Sequence, residues 1–518
     1  MDSRAQPGAR HEGREQQRCV MHRKTGPADH TLNVRRHDSS ATPKKTISRG
    51  LRGRIRQRVG AAINSRRQWA ERLEFRRHRR KLTLAAVVLL FVSIPLVLFA
   101  IVGLPHLFRN PLVRVVVARE GDGELPTVAS AHFAPAFAVS TGTALTGGNA
   151  FEVLANGDAT FPLLWRDLRS ARRSVTVQMY YAGPGAVADS MTRILAERAR
   201  TGVEVYFLYD AFGAQELPQR YLDTLRAAGA HVAEFRPVRW YALDRASHRS
   251  HVRGIIVDGT IAYTGGFGLD DKWLGGGQRR REWRETNARF AGPAVSPLQA
   301  AFIAMWVEAT GELLVGERFS PLDDTRATTA AGVVGAVDAA LVYSPPITGS
   351  TAAERLLALS IASARHRFYV SNAYFIPDAN FVKLLADAAR RGVDVRILTN
   401  GAQTDVKSTW LAGRSRYEAQ LTAGIRIYEY RPTAMHAKTF VVDGAWSAVS
   451  TMNFDNRSLA YNNEVAVVAL DSAVGAAMEK LFLDDLRLAD EVRLDAFRRR
   501  PRTQRLLERG ASFLASVL

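Results

Sequence analysis

Two stretches of this chain repeat one another in order, and that duplication narrows the possible folds more than any other feature. SVTVQMYYAG from Ser174 is matched by FYVSNAYFIP from Phe368. Each leads into a helical stretch, ADSMTRILAERARTG or NFVKLLADAARRG, which stops at Gly202 or Gly392 and passes into an apolar strand. A glycine just past the last turn is a common helix stop. A second helix ends in AAGAHV or TAGIRI, and then comes HVRGIIVDG from His251 or HAKTFVVDG from His436. The offset between copies is 190 residues at the first glycine, 195 at the second and 185 at the histidine. Strand–helix alternation at this spacing predicts an α/β sheet in each half. Copies that hold register this well predict one site assembled from two related halves.

Each copy carries a short chemical motif, His251-x-Arg253-x4-Asp258 and His436-x-Lys438-x4-Asp443. Six residues separate each Asp from a small-residue patch, GGFG at Gly265 and STMN at Ser450. A His and a cation two apart on a strand project from one face. The Asp sits at odd spacing and opens an Asp-Gly turn, which predicts the local task of fixing the strand end. An imidazole beside a fixed cation suits phosphoryl chemistry. The cation holds phosphate oxygens, while the imidazole attacks phosphorus or protonates a leaving oxygen. Two facing units would supply one nucleophile and one general acid. The bare pattern is weak, arising by chance on the order of once in six chains of this composition. His22-x-Lys24-x4-Asp29 also fits it, without strand character or a following patch. No carboxylate, His or Cys cluster has metal-ligand spacing, so neither metal nor cofactor is expected. The single cysteine, Cys19, excludes an internal disulfide. Trp240, Tyr241, Trp273, Trp283 and Trp410 either wall a lipid site or belong to the core.

Charge is concentrated at one end. Residues 1–81 hold 23 Lys/Arg against 7 Asp/Glu, and the remainder holds 48 against 43. The net charge of +21 therefore belongs mostly to the tail, and a nucleic-acid partner is not expected. Residues 1–50 lack apolar periodicity and read as disordered. Residues 51–81 place Leu51, Ile55, Val59 and Ile63 among arginines. They read either as a basic amphipathic helix on an anionic membrane surface or as an orientation signal without fixed structure. Leu82 to Leu104 is an uncharged run of 23 residues, long enough to span a bilayer as one transmembrane helix. Seven Lys/Arg precede it within 15 residues and three follow it. This bias predicts a cytoplasmic tail and a C-terminal part on the outer side.

Further segments extend the pattern: YFIPD at Tyr374, AARRGVDVRIL at Ala388, SRYEAQLTAGIRIYEY at Ser415, NFDNRSLAYNNE at Asn453 and RRPRTQRLLE near the end. EWRETNARFAGPAV at Glu282 and AFIAMWVEATGE belong with them in the first half. Together with the two motifs, these make the chain from about Phe151 onward resemble the phospholipase D superfamily, and within it the bacterial cardiolipin synthases. The resemblance implies a pseudo-twofold duplicated α/β sandwich with the active site between its halves. It implies His251 as nucleophile, forming a phosphohistidine, and His436 as acid/base. Arg253 and Lys438 would hold phosphate with help from Asn453, and Glu285 and Glu464 would be downstream carboxylates that orient the histidines. The implied reaction joins two phosphatidylglycerol molecules and releases glycerol. A hydrolytic phospholipase D uses the same residues, and a non-catalytic membrane protein on a decayed fold is the reading from another class. The departures lie in the first half, where Arg253 replaces a Lys and Gly268 replaces the Asn that follows the small-residue patch. The resulting division is a tail (1–81), a span (82–104), a linker (105–150), a first half (151–312), a connection (313–345) and a second half (346–518).

Overall fold

The computed structural model describes residues 50–103, 111–118, 125–237, 248–321, 336–347 and 349–514. The tail before Gly50, Trp240, Tyr241 and residues 322–335 of the expected connection lie outside the described residues. One helix runs from Gly50 to Leu98, followed by a π-helical turn at Phe99–Gly103. The stretch read as either an amphipathic helix or an orientation signal without fixed structure is thus helical and continuous with the apolar run. No proline interrupts residues 51–94, so nothing breaks the helix between the two. Pro95 lies near the end of the helix, and the ladder widens to π geometry a few residues beyond it. Among the described residues this is the one helix long and apolar enough to cross a membrane.

Among the described residues, fifteen strands form one continuous sheet. The first half supplies β1 (Thr146–Ala155), β2 (Ser174–Met179), β3 (Glu204–Asp210), β4 (His231–Phe235), β5 (Gly254–Val257), β6 (Ile261–Gly265) and β7 (Thr286–Ala291). The second half supplies β8 (Val337–Ser344), β9 (Arg367–Asn372), β10 (Asp394–Asn400), β11 (Arg426–Tyr430), β12 (Lys438–Val442), β13 (Trp446–Ser450) and β14 (Glu464–Leu470). A short β15 (Ala489–Glu491) pairs with β11 at the outer edge. From the central β1–β8 pair the order runs β7-β6-β5-β2-β3-β4 on one side and β14-β13-β12-β9-β10-β11 on the other. The halves therefore match strand for strand. In each, three parallel strands are joined by crossover helices, which parallel pairing requires. These helices are Ala186–Arg200 and Gln219–Ala227 in the first half, and Ala379–Arg390 and Lys407–Thr422 in the second.

Each half buries its own apolar face under its crossover helices. A third core joins residues of both halves under the helices Val295–Thr310 and Ser472–Leu486. Burial on both faces explains why the strands read as apolar runs instead of alternating patterns. The stretch expected to be a linker is partly built into the domain. Its helix Phe133–Thr141 packs Phe133 and Phe137 edge-on against Trp446 of the second half, at 5.0 and 5.2 Å. β1 also begins five residues before the expected start of the first half.

The two Asp-Gly turns close the β5–β6 and β12–β13 hairpins. Asp258 and Gly259 both have positive φ, as do Asp443 and Gly444, the geometry that Asp-Gly hairpin turns favour. The Asp258 carboxylate accepts the backbone N–H groups of Arg172, Arg173 and Ser174 at 2.7–3.1 Å. Asp443 accepts those of Arg365, His366 and Arg367 at 2.8–2.9 Å. Each carboxylate thus ties its turn to the start of the neighbouring parallel strand. Asp258→Ala or Asp443→Ala is expected to destabilise the domain by about 1.5–3 kcal/mol, since backbone N–H groups at the start of the neighbouring strand lose a charged acceptor. Thermal melts of the detergent-solubilised chain test this. A melting temperature unchanged in both variants would show that the turns hold without their carboxylates.

Candidate active site

The histidines do not sit within strands, as their spacing suggests, but just before β5 and β12. Each is fixed there by backbone hydrogen bonds from the opposite half. His251 N donates to Asn463 O at 3.0 Å, and Asn463 N donates to Arg249 O at 2.9 Å. In the symmetric position His436 N donates to Arg284 O at 2.7 Å, and Arg284 N donates to Ala434 O at 2.9 Å. The residues that follow Arg284 and Asn463 are the two carboxylates, Glu285 and Glu464. The same bridges that clamp the histidines therefore deliver a carboxylate to each from the other half.

The result is a crossed pair of His–Glu contacts. His251 Nδ1 lies 2.9 Å from Glu464 Oε1, and His436 Nδ1 lies 2.6 Å from Glu285 Oε2. Neither carboxylate orients the histidine upstream of it in its own half; each partner comes across the pseudo-twofold. With both Nδ1 atoms engaged, Nε2 of each ring is the atom left for chemistry. Glu464 also accepts the Thr451 hydroxyl and, at 3.3 Å, the Asn462 amide. Glu285 accepts its own strand's Thr286 N–H at 3.0 Å and the Trp273 indole N–H at 3.4 Å.

The cations lie beside the rings. Lys438 Nζ is 3.1 Å from His436 Nδ1 and donates to the His436 carbonyl at 2.6 Å. Arg253 is buried, with its guanidinium carbon 5.5 Å from the centre of the Tyr180 ring. Neither cation has a carboxylate within ion-pair distance among the described residues, and Arg253 Nε and Asn453 Oδ1 are buried without a partner. Burying such cations unpaired costs several kcal/mol each, so the site is built to receive an anion. Burial, then the nearby Arg253 and Lys438, pushes the His251 imidazole well below its usual protonation range. His436 is depressed in the same way by burial, Lys438 and Arg253. Burial raises the carboxyl of Glu285 to about 7 and that of Glu464 to about 8. Burial lowers the Lys438 ammonium to about 7, against the pull of Glu285.

His251, Arg253, His436, Lys438, Glu285, Glu464 and Asn453 thus gather in one buried site. Asp258 and Asp443 do not join them, being held at the turns. The repeat contained one signal beyond the motifs. Tyr180 and Tyr374 occupy the seventh position of the two aligned stretches, both are half-buried, and each lies close enough to feel the Arg253 charge. Tyr374 is held by Asp405 at 2.6 Å. Of the aromatic residues read as either wall or core, Trp273 and Trp283 lie beside His436, their rings 5.5 and 5.1 Å away, and Trp273 also belongs to the buried core of the first half. Trp410 instead donates to Glu429.

Trp273 also accounts for Gly268. A Cβ at Gly268 would lie 2.7 Å from the Trp273 ring, so the volume that Asn453 fills in the second half is taken here by the indole. Gly266 is matched to its carboxylate in the same way, since a Cβ there would lie 2.2 Å from Glu285 Oε2. The first half is a repacked version of the site, with an indole N–H where the second half uses a hydroxyl. Gly268→Asn is accordingly expected to lower activity, and Gly268→Asn with Trp273→Ala to regain part of it; equal loss in both would rule out this packing account.

Comparison with known proteins bears on this geometry. A family model described as "Cardiolipin synthase, PLD-like domain" matches residues 164–306 and 357–486, one segment in each half. A cardiolipin synthase of Geobacillus kaustophilus is 32% identical over 371 residues, covering 71% of this chain and 72% of the relative. Cardiolipin synthase A of Pseudomonas fluorescens is also 32% identical over 371 residues, covering 71% and 75%. The crystal structure of phosphatidylserine synthase from Haemophilus influenzae superposes with a TM-score of 0.58 at 12% identity. It covers 74% of this chain and all of that one, and so shares the fold.

Proposed function

Given that this chain belongs to the cardiolipin synthase family of phospholipase D-like phosphatidyltransferases, we propose that it condenses two phosphatidylglycerol molecules into cardiolipin and glycerol. The observation that supports this most is the pair of crossed His–Glu contacts around two buried cations that lack a carboxylate partner among the described residues. The phosphodiester of the first lipid takes the place between Arg253 and Lys438. His251 Nε2 attacks phosphorus, and the phosphorus–oxygen bond to the glycerol headgroup breaks. His436 Nε2 gives its proton to the departing oxygen. The hydroxyl of the second phosphatidylglycerol then attacks the phosphohistidine and returns a proton to His436. Asn453 Oδ1 is buried with no partner among the described residues, which suits a hydroxyl donor from substrate.

Two histidines held neutral suit the nucleophile at once, but the acid needs a proton. The incoming anion offsets the repulsion from Arg253 and Lys438, so proton uptake by His436 is coupled to substrate binding. Phosphatidylglycerol vesicles incubated with purified protein and no added metal test the reading. Cardiolipin with one glycerol per turnover supports it, whereas phosphatidic acid would make the protein a hydrolase.

The lowered Lys438 ammonium predicts a pH limb. Below about 7 the ammonium is charged and holds phosphate; as pH rises past 7 it loses its proton, and KM for the lipid should rise. Lys438→Arg keeps its charge and should abolish this limb, whatever it does to kcat. A limb at the same pH in that variant would assign the titration elsewhere.

The apolar helix is proposed to anchor the enzyme, with the basic tail in the cytoplasm, on an anionic surface, and the catalytic domain on the outer side. Reporter fusions after Leu104 test this. A cytoplasmic signal there would reverse the orientation.

A further inference from the structure

We propose that Lys272 is the subsite for the acceptor lipid's own phosphodiester, next to His436 and apart from the pocket that holds the reacting phosphate. This rests on the transfer reading with His251 as nucleophile. Joining two phospholipids brings a second anion into a site whose inner cations, Arg253 and Lys438, are already engaged. The two phosphates of the product are three carbons apart, roughly 7 Å when extended at ordinary bond lengths. An acceptor hydroxyl lying against His436 therefore carries its phosphate a few ångströms beyond that ring.

Lys272 is the cation at that place. Its ammonium lies 3.8 Å from the centre of the Tyr181 ring, 4.6 Å from Trp283 and 5.4 Å from Trp273. Trp283 is itself 5.1 Å from His436, which puts the ammonium within about 10 Å of the imidazole. The aromatic faces hold the ammonium by cation–π attraction without neutralising it. Asp270 forms an ion pair with it at 3.7 Å, longer than a direct charge-assisted hydrogen bond and open to exchange for an entering phosphate. The other carboxylates that act on Lys272, Glu216 and Asp405, accept the hydroxyls of Tyr181 at 2.9 Å and Tyr374 at 2.6 Å. The side chain is 20% exposed, enough for an entering phosphate to reach it.

The internal symmetry sharpens the assignment. Lys272 is four residues after Gly268, and Arg457 is four residues after Asn453, so each half places a cation at this position. Lys272 acts on His436, and Arg457 acts on His251. With His251 carrying the phosphatidyl group, the acceptor enters from the His436 side. Its hydroxyl oxygen bonds to phosphorus, the phosphorus–Nε2 bond breaks with its electron pair left on His251, and the hydroxyl proton passes to His436. The acceptor's phosphate then falls to Lys272.

Competition between acceptors tests this. Purified full-length protein in phosphatidylglycerol vesicles is given ethanol, which has no phosphate, and the ratio of cardiolipin to phosphatidylethanol is measured. Both products pass through the same intermediate, so partial misfolding of a variant cancels in the ratio. Lys272→Met is expected to lower the ratio about tenfold or more, and Lys272→Arg to restore most of it. An unchanged ratio in Lys272→Met would overturn the subsite. So would a fall confined to Arg457→Met, which would put the acceptor on the other side. Wild-type protein that forms neither product would refute the transfer reading itself.

Discussion

His251→Ala is expected to lower phosphatidyl transfer by roughly 10⁴-fold or more, the scale on which covalent catalysis collapses without its nucleophile, and to abolish acid-labile labelling by headgroup-released, phosphate-labelled lipid. His436→Ala should lose about 10²–10⁴-fold, the range for a positioned general acid. The two losses differ in kind. A p-nitrophenyl ester of phosphatidic acid has a leaving group that departs without a proton. With that substrate His436→Ala should form the phosphohistidine at close to the wild-type rate, while His251→Ala should remain inactive. Rapid-quench measurement of p-nitrophenol release separates them. The burst should survive in His436→Ala and be absent in His251→Ala, and the reverse pattern would exchange the two roles.

The second large effect comes from the crossed carboxylates. Glu464 contacts His251, and Glu285 contacts His436, each from the opposite half. Glu464→Gln should therefore resemble loss of the nucleophile, and Glu285→Gln loss of the acid, each by about 10²–10⁴-fold in kcat, since an amide cannot stabilise the imidazolium or hold its tautomer. The activated ester again discriminates. It should rescue Glu285→Gln and leave Glu464→Gln impaired. Rescue of Glu464→Gln instead would mean that each carboxylate serves the histidine of its own half in the working enzyme.

Much of this molecule could be read from residue order. The duplicated strands at Ser174 and Phe368, the helix stops at Gly202 and Gly392, and the two His motifs fall on elements that local propensity and apolar pattern specify. These depend on neighbours a few positions away, and their repetition revealed the pseudo-twofold. The uncharged run from Leu82 was equally plain, and it falls on a helix that by length and composition is long enough to cross a membrane. The Asp-Gly pairs announced their turns, since few residue pairs tolerate positive φ at both positions.

What residue order could not settle is everything that crosses between the halves. Glu464 is 213 residues from His251, and Glu285 is 151 residues from His436, and no local pattern says which carboxylate meets which ring. That pairing follows from the β1–β8 junction and from the backbone bridges at Asn463 and Arg284, which lay each strand end across the opposite motif. The fit of Trp273 into the space beside Gly268 belongs to the same class, as does the packing of Phe133 and Phe137 on the second half. Short-range preferences write the elements and the chemistry they carry into the chain. Long-range packing, where volume must be filled and buried charge must be met, chooses the partners.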